Sequence, residues 1–312
     1  MGSPETGSSA APLTIEAARA EAGPDVTIVG VIGSPVIHSL SPLLHNSAFA
    51  ALGLDAWRSF AFDVPPGQTR QALDAMRRAD LTGLSVTMPH KQPVAALVDE
   101  LSEAARRLNA VNCVHRLDDT LYGTNTDGEG FVSSLLRGAD FDPAGRRCLV
   151  AGAGGAARAV VLALARAGAA GVAVVNRTHD RAVLAAALAG DRGSAVPNES
   201  KAVAEAVMAA DLVVNATPLG MAGVDDSGSD SAPPPWLVPP SLLGPGQVAA
   251  DLIYVPRPTQ WLREASAAGA IVLDGLGMLV HQAAAQLVIW TGAEPPVAAM
   301  WQAAEAAHPL QV

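Results

Sequence analysis

The sequence predicts an α/β protein of two domains, each an open sheet with helices on both faces. Three observations carry this. From residue 26 onward, short apolar runs alternate with amphipathic, Ala-rich stretches, and strands that alternate with helices pair in parallel with both sheet faces covered. After residue 145 the same rhythm restarts, with a glycine turn between a strand and a helix. The length, 312 residues, allows two domains of ordinary size.

The elements follow in order. VTIVGVIG (26–33) reads as a buried strand, an unbroken apolar run of strand length. SPLLHNSAFAALGL (41–54) follows as a helix, with Ser41 as its N-cap and Pro42 at the first helical position. SFAFDV (59–64) is a strand, QTRQALDAMRRA (68–79) a helix and LTGLSVT (81–87) a strand. PVAALVDELSEAARRL (93–108) reads as one helix, and AVNCVHRLDDTLYGTN (110–125) as a hairpin turning at Asp118 and Asp119. The second unit opens with RRCLVAGAGGAARAVVLALARAGAAGVAVVNRT (146–178): strand, glycine turn, helix, strand. DLVVNAT (211–217), VAADLIY (248–254) and AIVLDG (270–275) are its later strands. MAGVDDSGSDSAPPPWLVPP (221–240) is a Gly/Ser/Asp/Pro loop, expected to be mobile. The last strong helix, MLVHQAAAQLVIWTG (278–292), is expected to pack back on the first domain. The chain thus divides into a leader (1–24) that starts MGSPETGSSAAP and is expected to be disordered, a first domain (25–126), a second (127–275) and a C-terminal helical segment (276–312).

Composition excludes several function classes. Half of the residues are hydrophobic and 16% are charged, so a sizeable core is expected rather than disorder. A net charge of −10 argues against nucleic acid as the main partner, and no Lys/Arg-rich run offsets it. The most apolar stretches are cut by Arg158, Arg166 and glycines before they reach membrane-spanning length, and no secretory signal opens the chain. Cys113 and Cys148 are too few and too far apart for a disulfide framework or a thiolate zinc site, which suggests a reducing compartment. His38, His45 and His90 lack the spacing of a metal motif and read as structural, or as supports behind a site. The expectation is a cytoplasmic protein, monomer or homodimer, acting on a small molecule without metal, membrane or nucleic acid.

The glycine turn is the first chemical signal. In VAGAGGAARAV, Gly152, Gly154 and Ala157 have the spacing G-x-G-x-x-A, straight after a strand and opening a helix. Gly152 permits the tight turn, Gly154 lets backbone approach a pyrophosphate, and Ala157 allows close helix–strand packing. Gly155 and Ala156 lie on the same turn, and the helix N-terminus faces the anion. In this setting the motif reads as dinucleotide binding in a Rossmann-like domain. The end of the next strand chooses the cofactor. An NAD site has a carboxylate there for the ribose hydroxyls; this chain has Asn176, Arg177 and Thr178, with Arg181 a turn later. No carboxylate repels a 2′-phosphate and Arg177 can pair with one bidentately, so NADP(H) is favoured. Asn215 and Thr217, at the end of a later strand, are candidates for the edge of the nicotinamide cleft.

The first domain holds four polar clusters at the ends of apolar runs: Ser39 and Ser41 in HSLSP, Ser85, Thr87 and Lys91 in SVTMPHK, Asn112 in AVNC, and Asp127 in GTNTDGEG. Singly, Ser41 is a cap and Asp127 a turn residue. Together they converge, because loops at the carboxyl ends of strands in an open parallel sheet share one crevice. Hydroxyls, an amide, one Lys and one Asp suit a polyhydroxylated small molecule bearing a carboxylate. Lys91 stands out further: of 20 cationic side chains 18 are Arg, and only Lys91 and Lys201 are Lys. Lysine can give up its proton in a protein site and arginine cannot. From composition alone, a solvated cation at a helix start is the competing reading of Lys91; Lys201 reads as an ordinary residue of an amphipathic helix.

With these motifs in order, the chain resembles the shikimate dehydrogenases, NADP-linked enzymes of chorismate and aromatic amino-acid biosynthesis. The resemblance covers residues 26 to 305 and is carried by GSPVIHSLSP, SVTMPHK, AVNC, NTDGEG, GAGGAAR, NRT, NATPLGM, DLIYVPRPT and DGLGMLVHQAA. It implies that the first domain binds substrate and the second NADP(H). It implies that Ser39 and Ser41, helped by Tyr254, hold the substrate carboxylate, and that Thr87, Asn112 and Gln282 contact ring hydroxyls. Lys91 and Asp127 would form the catalytic pair, and DGLGM, with Gly275 and Met278, would lie beside the nicotinamide. The implied reaction is reversible reduction of 3-dehydroshikimate to shikimate. The alternatives are a quinate/shikimate or aminoshikimate dehydrogenase, a glutamyl-tRNA reductase and a non-enzymatic NADP sensor. Many members of the family carry Asn where this chain has Ser85. The glutamyl-tRNA reductases share the glycine turn and NRT, but need a cysteine nucleophile that Cys113 does not suit.

Overall fold

The computed structural model describes residues 13–221 and 236–310. The first domain comprises α1 (Ile15–Ala22), β1 (Thr27–Gly33), α2 (Ser41–Ala51), β2 (Trp57–Asp63), α3 (Thr69–Arg78), β3 (Gly83–Val86), α4 (Lys91–Ala95), β4 (Glu100–Leu101), α5 (Glu103–Leu108), β5 (Cys113–Leu117) and β6 (Thr120–Thr124). Its six strands lie in the order β2-β1-β3-β5-β6-β4. The sheet is mixed: β1 pairs in parallel with β2 and β3, while β5 runs antiparallel to β3 and β6. The antiparallel part is the expected hairpin, turning at Asp118 with φ +52°. β1 is buried along almost all its length, as an unbroken apolar run requires when both faces are covered.

Four first-domain expectations need correction. Residues 1–12 of the leader lie outside the described residues, but from residue 13 the chain is ordered. Thr14 caps α1, Ile15 and Ala18 are buried, and Arg19 donates to the carbonyls of Ala79 (2.8 Å) and Val26 (2.7 Å). The helix expected over 93–108 is broken into α4, β4 and α5. Asp99 accepts a hydrogen bond from the Leu121 amide (2.7 Å), and Ser102 caps α5 through the Ala105 amide (3.2 Å), so side chains compete successfully with a continuous helix. Ser41 is the first helical residue rather than the cap; Ser39 Oγ accepts from its amide instead (3.3 Å). Asp127 opens a helix rather than a turn.

That helix is α6 (Asp127–Gly138), which leads into the second domain: β7 (Arg147–Ala151), α7 (Gly155–Arg166), β8 (Gly171–Val175), α8 (His179–Ala186), β9 (Gly193–Val196), α9 (Ser200–Met208), β10 (Leu212–Asn215), β11 (Val248–Asp251), α10 (Gln260–Ala267) and β12 (Ile271–Leu273). Lys201 lies exposed on α9. The sheet is wholly parallel in the order β12-β11-β10-β7-β8-β9. The chain steps outward from β7 in one direction and returns to β10 on the other side, which opens a crevice beyond the carboxyl ends of β7 and β10. Residues 222–235 of the loop expected to be mobile lie outside the described residues.

α11 (Leu276–Thr291) and α12 (Val297–Ala307) close the chain. As expected for the last strong helix, α11 returns to the first domain. Leu276, Val280, Ala283 and Leu287 share one core with Val29, Leu44, Phe49 and Cys113. α6 lies against both α7 and α11, and a Cβ on Gly130 would sit 2.6 Å from the Gln282 amide nitrogen, so the α6–α11 crossing needs a glycine there.

Candidate active site

A cavity of about 300 Å³ lies between the domains, at the carboxyl ends of β1 and β3. It is lined by Ser39, Ser41, Ser85, Thr87, Lys91, Asn112, Asp127, Tyr254 and Gln282 from the sequence-derived candidates for chemistry and substrate. Ala156, Gly275 and Met278 from the cofactor candidates reach it as well. Residues more than 240 positions apart in the chain thus meet in one space.

At its centre Lys91 Nζ donates to Asp127 Oδ2 at 2.6 Å. The Lys91 side chain is 27% exposed and that of Asp127 8%, so the lysine faces the cavity while the carboxylate sits behind it. Each is set by its element. Lys91 is the first residue of α4, anchored by the preceding His90, whose buried ring bonds Thr69 Oγ1 (2.8 Å) and the Val64 carbonyl (2.7 Å). Asp127 is the first residue of α6, where a helix N-terminus favours a carboxylate. Asn112 Nδ2 donates to the other carboxylate oxygen at 2.7 Å, and Asn112 Oδ1 accepts from the Thr126 amide (2.8 Å). Asp127 is thereby held on both oxygens.

Gln282 stands on α11 beside Asn112, its Nε2 donating to the Leu279 carbonyl (3.0 Å). Tyr254 presents its phenol from the loop after β11, its ring 6.2 Å from that of His308, and burial raises its pKa. His38 is exposed and lines the cavity itself, so it is neither the structural residue nor the support behind a site that was expected. Sequence reasoning missed Gln286, one helical turn after Gln282: it is fully buried and donates to the Asn112 carbonyl (3.1 Å) and to Gln282 Oε1 (2.9 Å). The i, i+4 spacing from Gln282 is the available signal. Cys113 lies in the core with its thiol pKa pushed up by burial, and Cys148, likewise buried, is pushed up to about 12. Neither thiol is poised as a nucleophile.

The cofactor candidates gather at the crevice of the second sheet. Gly152 has φ +114°, and a Cβ there would lie 2.8 Å from the Ala216 carbonyl oxygen, so the turn after β7 requires glycine. Gly154 caps α7, and Cβ atoms on Gly154 or Gly155 would meet nothing within 4 Å. The N-terminus of α7 is therefore open to an anion, the cradle that a pyrophosphate needs. Asn176, Arg177 and Thr178 follow β8 beside this turn, where the Gly152 amide donates to the Val175 carbonyl (2.8 Å). Asn176 ties the loop through the Thr178 carbonyl (2.9 Å), while Arg177 and Arg181 are exposed. This set fits NADP(H). Asn215 and Thr217 do not reach the 300 Å³ cavity. Asn215 is buried, accepting from the Thr217 hydroxyl (2.7 Å) and donating to Asp251 (3.1 Å), and so shapes the loop after β10. Asp251, also missed, is buried beneath this loop and its pKa is raised to about 6 by desolvation, against hydrogen bonds from Thr259, Ile253 and Asn215. Among the described residues, no cluster of His, Cys, Asp and Glu could hold a metal ion, and no helix is long and apolar enough to cross a membrane.

Comparison with known proteins adds an independent line. The shikimate dehydrogenase substrate binding domain matches residues 31–114, shikimate / quinate 5-dehydrogenase residues 138–222, and the shikimate 5′-dehydrogenase C-terminal domain residues 275–305. A shikimate dehydrogenase (NADP(+)) of Moorella thermoacetica is 44% identical over 279 residues, which span 88% of this chain and 90% of that protein. The crystal structure of shikimate 5-dehydrogenase from Thermus thermophilus in complex with NADP(H) and shikimate superimposes with a TM-score of 0.79 at 39% identity, covering 90% of this chain and 100% of that one. Quinate dehydrogenase from Corynebacterium glutamicum in complex with NAD also gives 0.79, at 30% identity over 90% and 99% of the two chains.

Proposed function

The chain belongs to the shikimate dehydrogenase family, and from that premise we propose that it catalyses the reversible NADPH-dependent reduction of 3-dehydroshikimate to shikimate, with Lys91 and Asp127 as the catalytic pair. The observation that carries the proposal is the 2.6 Å Lys91–Asp127 contact inside a cavity whose other polar groups are hydroxyls and amides. The glycine turn and the α7 N-terminus would hold the cofactor's pyrophosphate. Asn176, Arg177, Thr178 and Arg181 would hold its ribose and 2′-phosphate, and Gly275 and Met278 would flank the nicotinamide. Bound there, NADPH supplies the hydride that reaches the ketone carbon.

The chain's own residues do the rest. As the ketone oxygen gains negative charge, the Lys91 ammonium stabilises it and delivers a proton from Nζ. Asp127 aims Nζ through Oδ2 and shares the proton load, while Asn112 holds Asp127 through Oδ1. In the oxidation direction, the Lys91 amine takes the proton of the substrate hydroxyl. Ser39, Ser41 and Tyr254 bind the carboxylate away from the reacting carbon, and Thr87, Asn112 and Gln282 take the ring hydroxyls. A test follows nicotinamide absorbance with shikimate and quinate, each offered with NADP and NAD. Fastest turnover with shikimate and NADP is the expected result. Faster turnover of quinate moves the substrate assignment, and no turnover in any of the four mixtures overturns the reading.

A further inference from the structure

Outside the cavity, three segments of the chain meet on one buried cation. Arg257 lies in the loop between β11 and α10, three residues after Tyr254, and its side chain is 7% exposed. Its Nε donates to Asp274 Oδ2 at 2.7 Å and its Nη1 to the His308 carbonyl at 2.8 Å. Asp274 turns its other oxygen to the amide of Leu276 (3.0 Å), the first residue of α11, and His308 directly follows α12. One guanidinium thus joins the loop that carries Tyr254, the start of α11 beside Gly275, and the end of α12.

The loop depends on such ties. Pro256 and Pro258, on either side of Arg257, have no amide N–H to donate. Among the described residues, no backbone–backbone hydrogen bond involves residues 254–258. The loop is fixed before Tyr254 by the Gly275 amide on the Ile253 carbonyl (3.1 Å), and after it by Arg257. His308 adds a second path: its carbonyl is held by Arg257, and its ring stands 6.2 Å from that of Tyr254. Arg257 therefore reaches Tyr254 both along the loop and through the His308 ring. An ion pair this far from water gives little net stability, because desolvation of two charges offsets their attraction. What a guanidinium fork adds is direction, since its donors point to two acceptors at fixed angles.

We infer that Arg257 is a positioning residue: it locks the loop after β11 to the start of α11 and the end of α12, and so sets where the Tyr254 phenol stands at the substrate carboxylate. This rests on the reading above that Tyr254 helps Ser39 and Ser41 hold that carboxylate. Arg257→Met fills much of the same space and removes both bonds. The Michaelis constant for shikimate should rise about 5–10-fold, the size of one lost hydrogen bond, while that for NADP changes little. Turnover should stay near normal, because the carboxylate lies away from the reacting carbon. Tyr254→Phe should raise the same constant, and the double variant should be no worse than the more affected single one, because Arg257 acts through Tyr254. Arg257→Lys keeps the charge without the fork and should recover at most part of the loss. Full recovery by lysine would make charge, not fixed direction, the relevant property and overturn the inference. An Arg257→Met enzyme that loses thermal stability but keeps its shikimate Michaelis constant would reduce Arg257 to a scaffold residue, as would multiplicative effects in the double variant. Should Arg257→Met not fold, Arg257→Met with Asp274→Asn, which strands no buried charge, decides by the same constants. Tyr254→Phe separates the two readings. If it leaves the shikimate constant intact, the assignment of Tyr254 fails and this inference with it; if it raises the constant while Arg257→Met does not, only the inference fails.

Discussion

Lys91 is one of two lysines in a chain whose other cations are all arginine, and it is the cation that meets a carboxylate inside the cavity. The proposed role, stabilising an oxyanion and giving up a proton, suits lysine and not arginine, since guanidinium keeps its proton. Lys91→Ala should lower turnover by roughly 10²–10⁴-fold with much smaller effects on shikimate and NADPH binding, the range of general acid–base catalysis. Lys91→Arg should rescue little, and Lys91→Ala with Asp127→Asn should fall well short of the product of the single effects. Steady-state kinetics with direct binding measurements decides it; near-normal turnover in Lys91→Ala returns the residue to an ordinary cation. Arg177 is a separate case, since it stands exposed after β8. If it holds the 2′-phosphate as proposed, Arg177→Ala should weaken NADP binding by about 10–150-fold and leave NAD binding nearly unchanged. Equal losses for both dinucleotides would make Arg177 a structural residue.

Among the elements, α6 and α11 carry the site: the first supplies Asp127, the second Gln282 and Gln286. Their close crossing depends on Gly130. In Gly130→Ala the added methyl would press on backbone at Gln282, which cannot rotate away. Stability should fall by about 1–3 kcal/mol, as for overpacking in a tight contact, and the shikimate Michaelis constant should rise with little change for NADP. Loss of stability alone would mean that α11 adjusts without moving Gln282. These two helices also show where sequence is readable. Strands β1, β7 and β10 are legible because an apolar run records burial on both faces locally. The glycine turn is legible because its chemistry lies in six consecutive residues. The start of α6 is not: Asp-Gly-Glu-Gly has poor helix propensity and reads as a turn, and the helix is held by tertiary packing. α1 and the break between α4 and α5 are hidden for the same reason, since Arg19 bonds Ala79 and Asp99 bonds Leu121 across long separations. The candidate residues can be named from motifs, but the hydrogen bond from Gln286 to Asn112 is a product of the fold, joining residues 174 positions apart.

Over the whole molecule, the two sheets are not independent bodies. α11 and α12 share a core with the first domain, and Leu108 and Ala110 share another with Ala159 and Leu162 of α7. One cooperative transition is therefore expected, and buried titrating groups from both domains should act on it. His45 in the first domain has its pKa depressed from 6.5 to about 3 by desolvation. Its folded form binds fewer protons than its unfolded form, so it contributes stability above pH 6.5 that is lost as pH falls toward 3. Asp251 in the second domain has its pKa raised from 3.8 to about 6, also chiefly by desolvation. Its contribution has the opposite sign: fully present below 3.8 and lost as pH rises through 6. Between these values the two slopes, each up to about 1.4 kcal/mol per pH unit, oppose one another. His45→Phe should leave the Asp251 slope exposed, so that stability relative to wild type rises toward lower pH across this window. Asp251→Asn should do the reverse and steepen the loss of stability on acidification. Denaturant unfolding of the three proteins from pH 4 to pH 8 reads both slopes. Parallel curves for wild type and His45→Phe would mean that His45 titrates normally. Two separate transitions, with each substitution shifting only one, would mean that α6 and α11 do not couple the domains.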